Sequence, residues 1–155
     1  MCRTGFKDRD QPAGGSTLAV NRDGSSERVK ILLDANALMM PVQFQIDLFD
    51  ELRMLLGAFE PLVLSGVIRE LTGISRAKGR DGAAARHGLA LCERCTVVES
   101  GDLKSESVDA QMIEYAALNR CTVVTNDRRI RDALFTRGIG VISMRNQKKL
   151  EILRR

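Results

Sequence analysis

The chain has 155 residues, 44% of them hydrophobic, with 24 Lys and Arg against 20 Asp and Glu, one His and no Trp. That length suits one domain with a buried core, and no apolar run approaches the roughly 18 residues of a membrane span, which excludes a helical membrane protein. The single imidazole, His87, excludes mechanisms built on paired histidines, and no Ser/His/Asp arrangement surrounds it, so chemistry must rest on carboxylates or a metal. The first residues lack the apolar stretch of a signal peptide, so the expected location is cytoplasmic, with Cys2, Cys92, Cys95 and Cys121 reduced.

Residues 1–27, rich in Gly, Ser, Asp and Arg, read as a flexible extension ahead of a domain at 28–146, with 147–155 a basic tail. Residues 29–34 form a β-rich run without polar alternation after Lys30, the pattern of a strand covered on both faces. Pro41 then opens a stretch in which Val42, Ile46, Phe49, Leu52 and Leu56 recur at helical spacing up to Gly57. A second strand is expected at 61–65, with Ser65 capping a helix over 66–75, then a basic loop at 76–82 and a helix at 83–93. A third strand follows at 96–98, and Ser105 or Ser107 caps a helix carrying Val108, Met112, Ile113, Ala116 and Leu118. A fourth strand at 121–125, a helix at 127–137 and a fifth strand at 140–144 complete the alternation, leaving 147–155 as an edge strand or a helical tail. Strands alternating with helices define one α/β domain with a parallel sheet, and such sheets gather function at the carboxyl ends of their strands.

The acids follow that rule. Asp34 ends the first strand, and Asp127 follows the fourth in Thr125-Asn126-Asp127. Glu70 lies one turn into the helix after the second strand, and Asp109 in the first turn of the helix after the third. Acids favour helix starts because they complement the dipole, which accounts for Asp109 and Asp127, and tolerably for Glu70, but not for Asp34 at the end of an apolar strand. Carboxylates that converge without Lys or Arg repel one another; a divalent cation removes that cost, and hard oxygen ligands suit Mg²⁺ or Mn²⁺ rather than Zn²⁺. Such a cluster serves phosphodiester hydrolysis, which needs no protein nucleophile. Asn36, Thr125 and Asn126 are the neutral groups nearest the acids, suited to orienting hydrogen bonds or a water ligand.

Four segments carry a resemblance: Leu33-Asp34-Ala35-Asn36-Ala37-Leu38, Ser65-Gly66-Val67-Ile68-Arg69-Glu70-Leu71, Ser107-Val108-Asp109-Ala110-Gln111-Met112-Ile113 and Val123-Val124-Thr125-Asn126-Asp127. In this order the chain resembles the PIN domain family of metal-dependent ribonucleases over about residues 29–145. The resemblance implies a PIN-like three-layer α/β/α domain with a central five-stranded parallel sheet. It also implies that Asp34, Glu70, Asp109 and Asp127 hold Mg²⁺ or Mn²⁺ and activate water for endonucleolytic cleavage of RNA. Residues 34–52 are most similar to an archaeal subgroup that resembles the small-subunit processome endonuclease of eukaryotes and is also labelled VapC-type. The partners implied are structured ribosomal RNA, a pre-ribosomal particle or an antitoxin, and a second copy in a homodimer. Ala35, Ala110 and Arg129 stand where many relatives carry further polar or acidic groups, so a fifth acid is absent.

Charge is uneven: residues 128–155 carry a net +7 and residues 1–127 a net −3. Eighteen of the bases are Arg, which favours bidentate pairing with phosphate or carboxylate. A basic end suits nucleic acid or an acidic partner, and equally a solvated surface. Arg128, Arg129 and Arg131 start beside the acids, and Arg145, Lys148 and Lys149 extend them as an RNA-backbone surface. With one Tyr and five Phe, recognition rests on RNA shape and phosphate charge rather than base stacking. Three readings stay open: a ribosomal RNA processing endonuclease, a VapC-type toxin of a toxin–antitoxin pair, and a catalytically silent RNA-binding PIN scaffold. A Rossmann nucleotide site has no support, because no glycine-rich loop follows the first strand. Cys92 and Cys95 lack the second ligand pair of a zinc site and read as buried or incidental thiols. Met39, Met40, Met54, Met112 and Met144 read as core filler, and Asp47, Asp50 and Glu51 as a solvated helix face.

Overall fold

The computed structural model describes residues 28–100 and 107–153; the extension at 1–27 and the Ser105 cap lie outside the described residues. The elements are β1 (Val29–Leu33), α1 (Ala35–Phe44), α2 (Leu48–Leu56), β2 (Phe59–Leu64), α3 (Ser65–Ser75) and α4 (Arg80–Cys92), then β3 (Thr96–Val98), α5 (Val108–Asn119), β4 (Thr122–Val124), α6 (Arg128–Thr136), β5 (Val141–Arg145) and β6 (Lys149–Leu153).

Successive strand residues face opposite sides of a sheet, yet Ile31, Leu32 and Leu33 are all buried, so β1 is covered on both faces. The pairs Val63-Leu64, Val123-Val124 and Val141-Ile142 are buried in the same way. The sheet runs β3-β2-β1-β4-β5-β6, its first five strands parallel and β6 antiparallel to β5 from Val141↔Leu153 to Arg145↔Lys149. The five expected parallel strands are thus joined by a sixth, and the described part of the expected basic tail at 147–155 is an edge strand. Its alternation explains this: Leu150 turns into the core and Ile152 packs against it, while Lys149 is exposed. Asn146 and Gln147 both take left-handed backbone (φ 54 and 58), and Lys148 N–H donates to Arg145 O at 3.1 Å, closing the turn between β5 and β6.

Right-handed crossovers put the helices linking β1, β2 and β3 on one face and those linking β3, β4 and β5 on the other. The packing agrees: α4 lies against α1 and α3, while α5 lies against α6. The sheet order therefore reverses between β1 and β4, which opens a crevice at their carboxyl ends.

The helix expected from Pro41 to Gly57 is two helices, and the first starts six residues earlier than its proline. Asp34 O accepts from Leu38 N–H at 3.1 Å, opening α1 directly after β1. Ala35, Ala37, Leu38, Met39, Met40 and Pro41 are all buried along it. That burial outweighs the cost of an interior proline, on the order of 3 kcal/mol. Gln45 ends α1 in left-handed backbone, and Asp47 caps α2 by accepting from Asp50 N–H at 3.0 Å. Similarly, α4 begins at Arg80, so Gly82 is helical rather than part of a loop. Met54 is 69% exposed and is not core filler; it sits on the outer side of the amphipathic α2.

Backbones touch where α1 crosses α4, since a Cβ on Gly88 would stand 2.9 Å from the Leu38 carbonyl oxygen. Gly88→Ala is expected to destabilise the protein by about 1–3 kcal/mol through this overlap. A urea midpoint unchanged from wild type would show that α1 yields instead. No helix among the described residues is long and apolar enough to cross a membrane.

Candidate active site

At the β1–β4 crevice stands Asp34, only 4% exposed. Its backbone N–H donates to Val124 O at 3.2 Å, and its Oδ2 accepts the Thr125 hydroxyl at 2.7 Å. Thr125 is fully buried, and the same hydroxyl oxygen accepts from Asp127 N–H at 3.0 Å. A hydroxyl has one proton to donate, so these two bonds fix its direction, and one side chain ties β1 to the start of α6. Asp127 caps α6, its Oδ1 accepting from Arg129 N–H at 2.9 Å. Helix capping therefore accounts for one Asp127 oxygen; Asp34 also stands at the N-cap of α1, where the helix dipole favours an acid, but it makes no side-chain cap bond.

The other two acids come from the neighbouring strands. Glu70 is exposed on α3 after β2. Asp109 is exposed in the first turn of α5, whose cap is Ser107, accepting from Ala110 N–H at 3.1 Å. Ser65 does not cap α3, whose N-cap is Leu64 without a side-chain bond. Its hydroxyl instead accepts from Ser100 N–H at 3.0 Å and shares a 2.9 Å bond with the Ser100 hydroxyl. A Cβ on Gly66 would stand 2.9 Å from Val108 Cγ2, so the first turns of α3 and α5 lie directly together. Ser100, 2% exposed, is a bracing residue that sequence reasoning missed, because a serine after a short strand carries no pattern of its own.

Burial pushes the Asp34 carboxyl above its ordinary value, the Thr125 and Ala35 hydrogen bonds oppose it, and Asp109 and Asp127 add to the rise. Glu70 is raised too, first by partial desolvation of its carboxyl and then by Asp34 and Asp109. None of the four acids makes an ion pair with Lys or Arg among the described residues. The carboxylates share one edge, where Asp34 and Glu70 feel the charge of their acidic neighbours, but they are not drawn into a closed ligand set. No group of three or more His, Cys, Asp or Glu among the described residues sits as a ready-made metal cage. By donor chemistry, hard oxygens around a buried and uncompensated carboxylate fit a cation of the Mg²⁺ or Mn²⁺ type.

The remaining expected residues fall on the same edge with different roles. Asn36 is exposed in the first turn of α1. Asn126 Oδ1 accepts from both Ser143 Oγ at 2.8 Å and Met144 N–H at 2.9 Å, so it braces the β4–α6 junction against β5. Arg128 and Arg129 are exposed and Arg131 half-buried at the start of α6, while Arg145, Lys148 and Lys149 surround the β5–β6 turn. Arg145 Nη1 lies 3.3 Å from Glu151 Oε1, which offsets part of its charge. Asp47 is an exposed cap of α2, and His87 is exposed on α4. Burial pushes the thiols of Cys92, Cys95 and Cys121 up to about 11, 12 and 11, which leaves them protonated and unreactive.

The domain is α/β, with a mostly parallel sheet and acids delivered to its carboxyl edge by four separate junctions. The sequence pattern of the PIN-like domain family matches residues 31–147, and the chain belongs to that family. It is 31% identical over 129 residues to ribonuclease VapC9 of Archaeoglobus fulgidus, spanning 82% of this chain and 92% of that one. It is 28% identical over 128 residues to ribonuclease VapC4 of Methanocaldococcus jannaschii, spanning 79% and 95%. Its structure is similar to that of the PIN domain endonuclease Utp24, with a TM-score of 0.67 and 26% identity over 81% of this chain and 92% of that one. VapBC2 from Rickettsia felis, solved with a DNA fragment from its promoter, gives a TM-score of 0.57 at 15% identity over 76% and 100%, a likeness of fold alone. Family and relatives together support ribonuclease activity of the hydrolase class.

Proposed function

We propose that the chain is a metal-dependent endoribonuclease acting on structured RNA in ribosomal RNA processing, with Mg²⁺ or Mn²⁺ held by Asp34, Glu70, Asp109 and Asp127. The observation that carries this is Asp34 itself: a buried carboxylate at the switch point, facing other acids and no cation. A bound divalent ion supplies Lewis-acid charge at the scissile phosphate and lowers the pKa of an attacking water. Thr125 holds the Asp34 carboxylate in one orientation, and Asn126 fixes the loop that carries Asp127. The Ser65–Ser100 bond and the Gly66–Val108 contact set the spacing between the helices of Glu70 and Asp109. Arg128, Arg129, Arg131, Arg145, Lys148 and Lys149 hold RNA phosphates alongside.

The test is cleavage of a structured ribosomal RNA fragment with Mn²⁺, with Mg²⁺ and with EDTA. Cutting is expected with metal and none with chelator. With roughly six phosphate contacts, affinity should fall about a thousandfold between roughly 50 and 200 mM salt. Intact RNA on several substrates would leave a silent RNA-binding scaffold as the better account.

A toxin role is the second reading, favoured by two relatives named VapC that match over 92% and 95% of their own lengths. Expression in growing cells separates the two. Growth arrest that Asp34→Asn abolishes marks a toxin, whereas accumulation of precursor ribosomal RNA on depletion marks a processing enzyme.

A further inference from the structure

We propose that a second site, on the amino edge of the sheet, binds phosphodiester groups of the RNA substrate outside the reacting segment; this rests on the reading of the chain as a nuclease acting on RNA. A cleft of about 550 Å³ is lined there by Arg28, Arg53, Arg94, Phe49, Phe59 and Pro61, together with Gly57 and Ala58. Arg28 precedes β1, Gly57 and Ala58 precede β2, and Arg94 precedes β3, so the cleft opens at the end of the sheet opposite the acids. At about 3.3 Å per residue, strands of this length separate the two edges by roughly 17 Å.

Three guanidinium groups line this cleft and, among the described residues, no acid does. Arg94 is set in place by stacking, its guanidinium carbon 4.6 Å from the centroid of the Phe49 ring. Phe49 is buried and meets Phe59 edge-on, with centroids 5.8 Å apart, so the cleft has a rigid floor. Arg53 lies 3.5 Å from Asp50 on the exposed surface, an ion pair that solvent weakens. Arg28 and Arg94 make no ion pair among the described residues. Arg28 and Arg94 thus share one concavity with no acid among its described lining residues.

Forked donors pair bidentately with phosphate, and an apolar floor suits the ring and sugar faces between phosphates. The same donors would take the carboxylates of an acidic peptide. The phosphodiester is favoured because the class of activity supplies that polyanion. RNA long enough to reach both edges is then held at two places, and a short oligonucleotide only at the acidic one.

The experiment compares wild type with the triple variant Arg28→Gln, Arg53→Gln, Arg94→Gln in EDTA, on a long stem-loop and on a short oligonucleotide. The triple variant is expected to bind the stem-loop at least about tenfold more weakly, with the slope of log affinity against log salt reduced by about 2–3. Binding of the oligonucleotide, and its cleavage with Mn²⁺, should be unchanged. Arg28→Gln alone leaves the Phe49 stack intact and should reduce the slope by about 1; it keeps the test valid if the triple variant fails to fold. Equal affinities and slopes, or equal losses on both RNAs, would overturn the proposal. So would intact stem-loop binding with lost binding of polyglutamate, which would assign the cleft to an acidic protein. Wild type that cuts both RNAs while the variants bind them normally defeats this site alone. Wild type that cuts neither, with stem-loop binding still lost in the variants, defeats the nuclease reading and leaves the RNA site standing.

Discussion

Asp34→Asn is expected to abolish metal-dependent RNA cleavage and, in the same protein, to raise stability at pH 7 without metal. The two effects have one origin. Burial, with Asp109 and Asp127 nearby, raises the Asp34 carboxyl above its ordinary value in the folded state. The native chain therefore holds that proton more tightly than the unfolded chain does. Stability associated with Asp34 is present below the unfolded value of 3.8 and is lost as pH rises through the raised folded value. At pH 7 the ionised carboxylate works against folding. Asparagine has the same shape, still accepts the Thr125 hydroxyl and carries no charge. A gain on the order of 1 kcal/mol is expected, about 2–4 °C in Tm for a chain of this size. Cleavage should fall by at least about a hundredfold, the scale on which a charge-stabilising group is lost. Mg²⁺ or Mn²⁺ should raise the Tm of wild type, because an ion that binds only the folded state stabilises it, and should raise that of the variant less. A variant that is less stable than wild type at neutral pH without metal would show that the Asp34 charge is compensated within the fold, and the metal reading would lose its basis.

Much of this edge was legible because the signals were local. An acid directly after Ile31-Leu32-Leu33 marks a strand end, and the four junctions recur at the intervals of a chain that alternates strands with helices. What was hidden depended on partners far away in sequence. Pro41 looks like a helix start, but the burial of Ala35 to Met40 against α4, and the room that Gly88 leaves for Leu38, carry the helix through it. Asn126 reads in its tripeptide as suited to orienting hydrogen bonds or a water ligand, and only the position of β5 shows that its oxygen is already bonded twice. The arginine cleft joins residues from three separate strand entrances, so no spacing along the chain announces it. Residues 149–153 alternate well enough to be a strand, but whether they pair depends on the exposed edge of β5.

Thr125→Val should cost more than any change at the exposed acids, because Thr125 has no substitute in the crevice. Valine has nearly the volume of threonine, so the methyl packing survives and only the hydroxyl is lost. That loss leaves Asp34 Oδ2 without its 2.7 Å donor and Asp127 N–H without its 3.0 Å acceptor. Removing one partner of a buried hydrogen bond costs about 1–3 kcal/mol, with bonds to charged groups at the upper end, so about 3 kcal/mol in total is expected. Activity should fall by about 10–100-fold, the range seen when a group that orients a metal ligand is removed. The hydroxyl also lowers the Asp34 carboxyl against the effect of burial. Without it, Asp34 protonates at higher pH, and the acid limb of the activity profile should move up. Thr125→Ser keeps both hydrogen bonds and loses one methyl group, at about 1 kcal/mol, so it should retain activity with an unshifted acid limb. The contrast between the two variants isolates the hydroxyl from general packing: if serine and valine shift the acid limb alike, Thr125 is core and does not position Asp34.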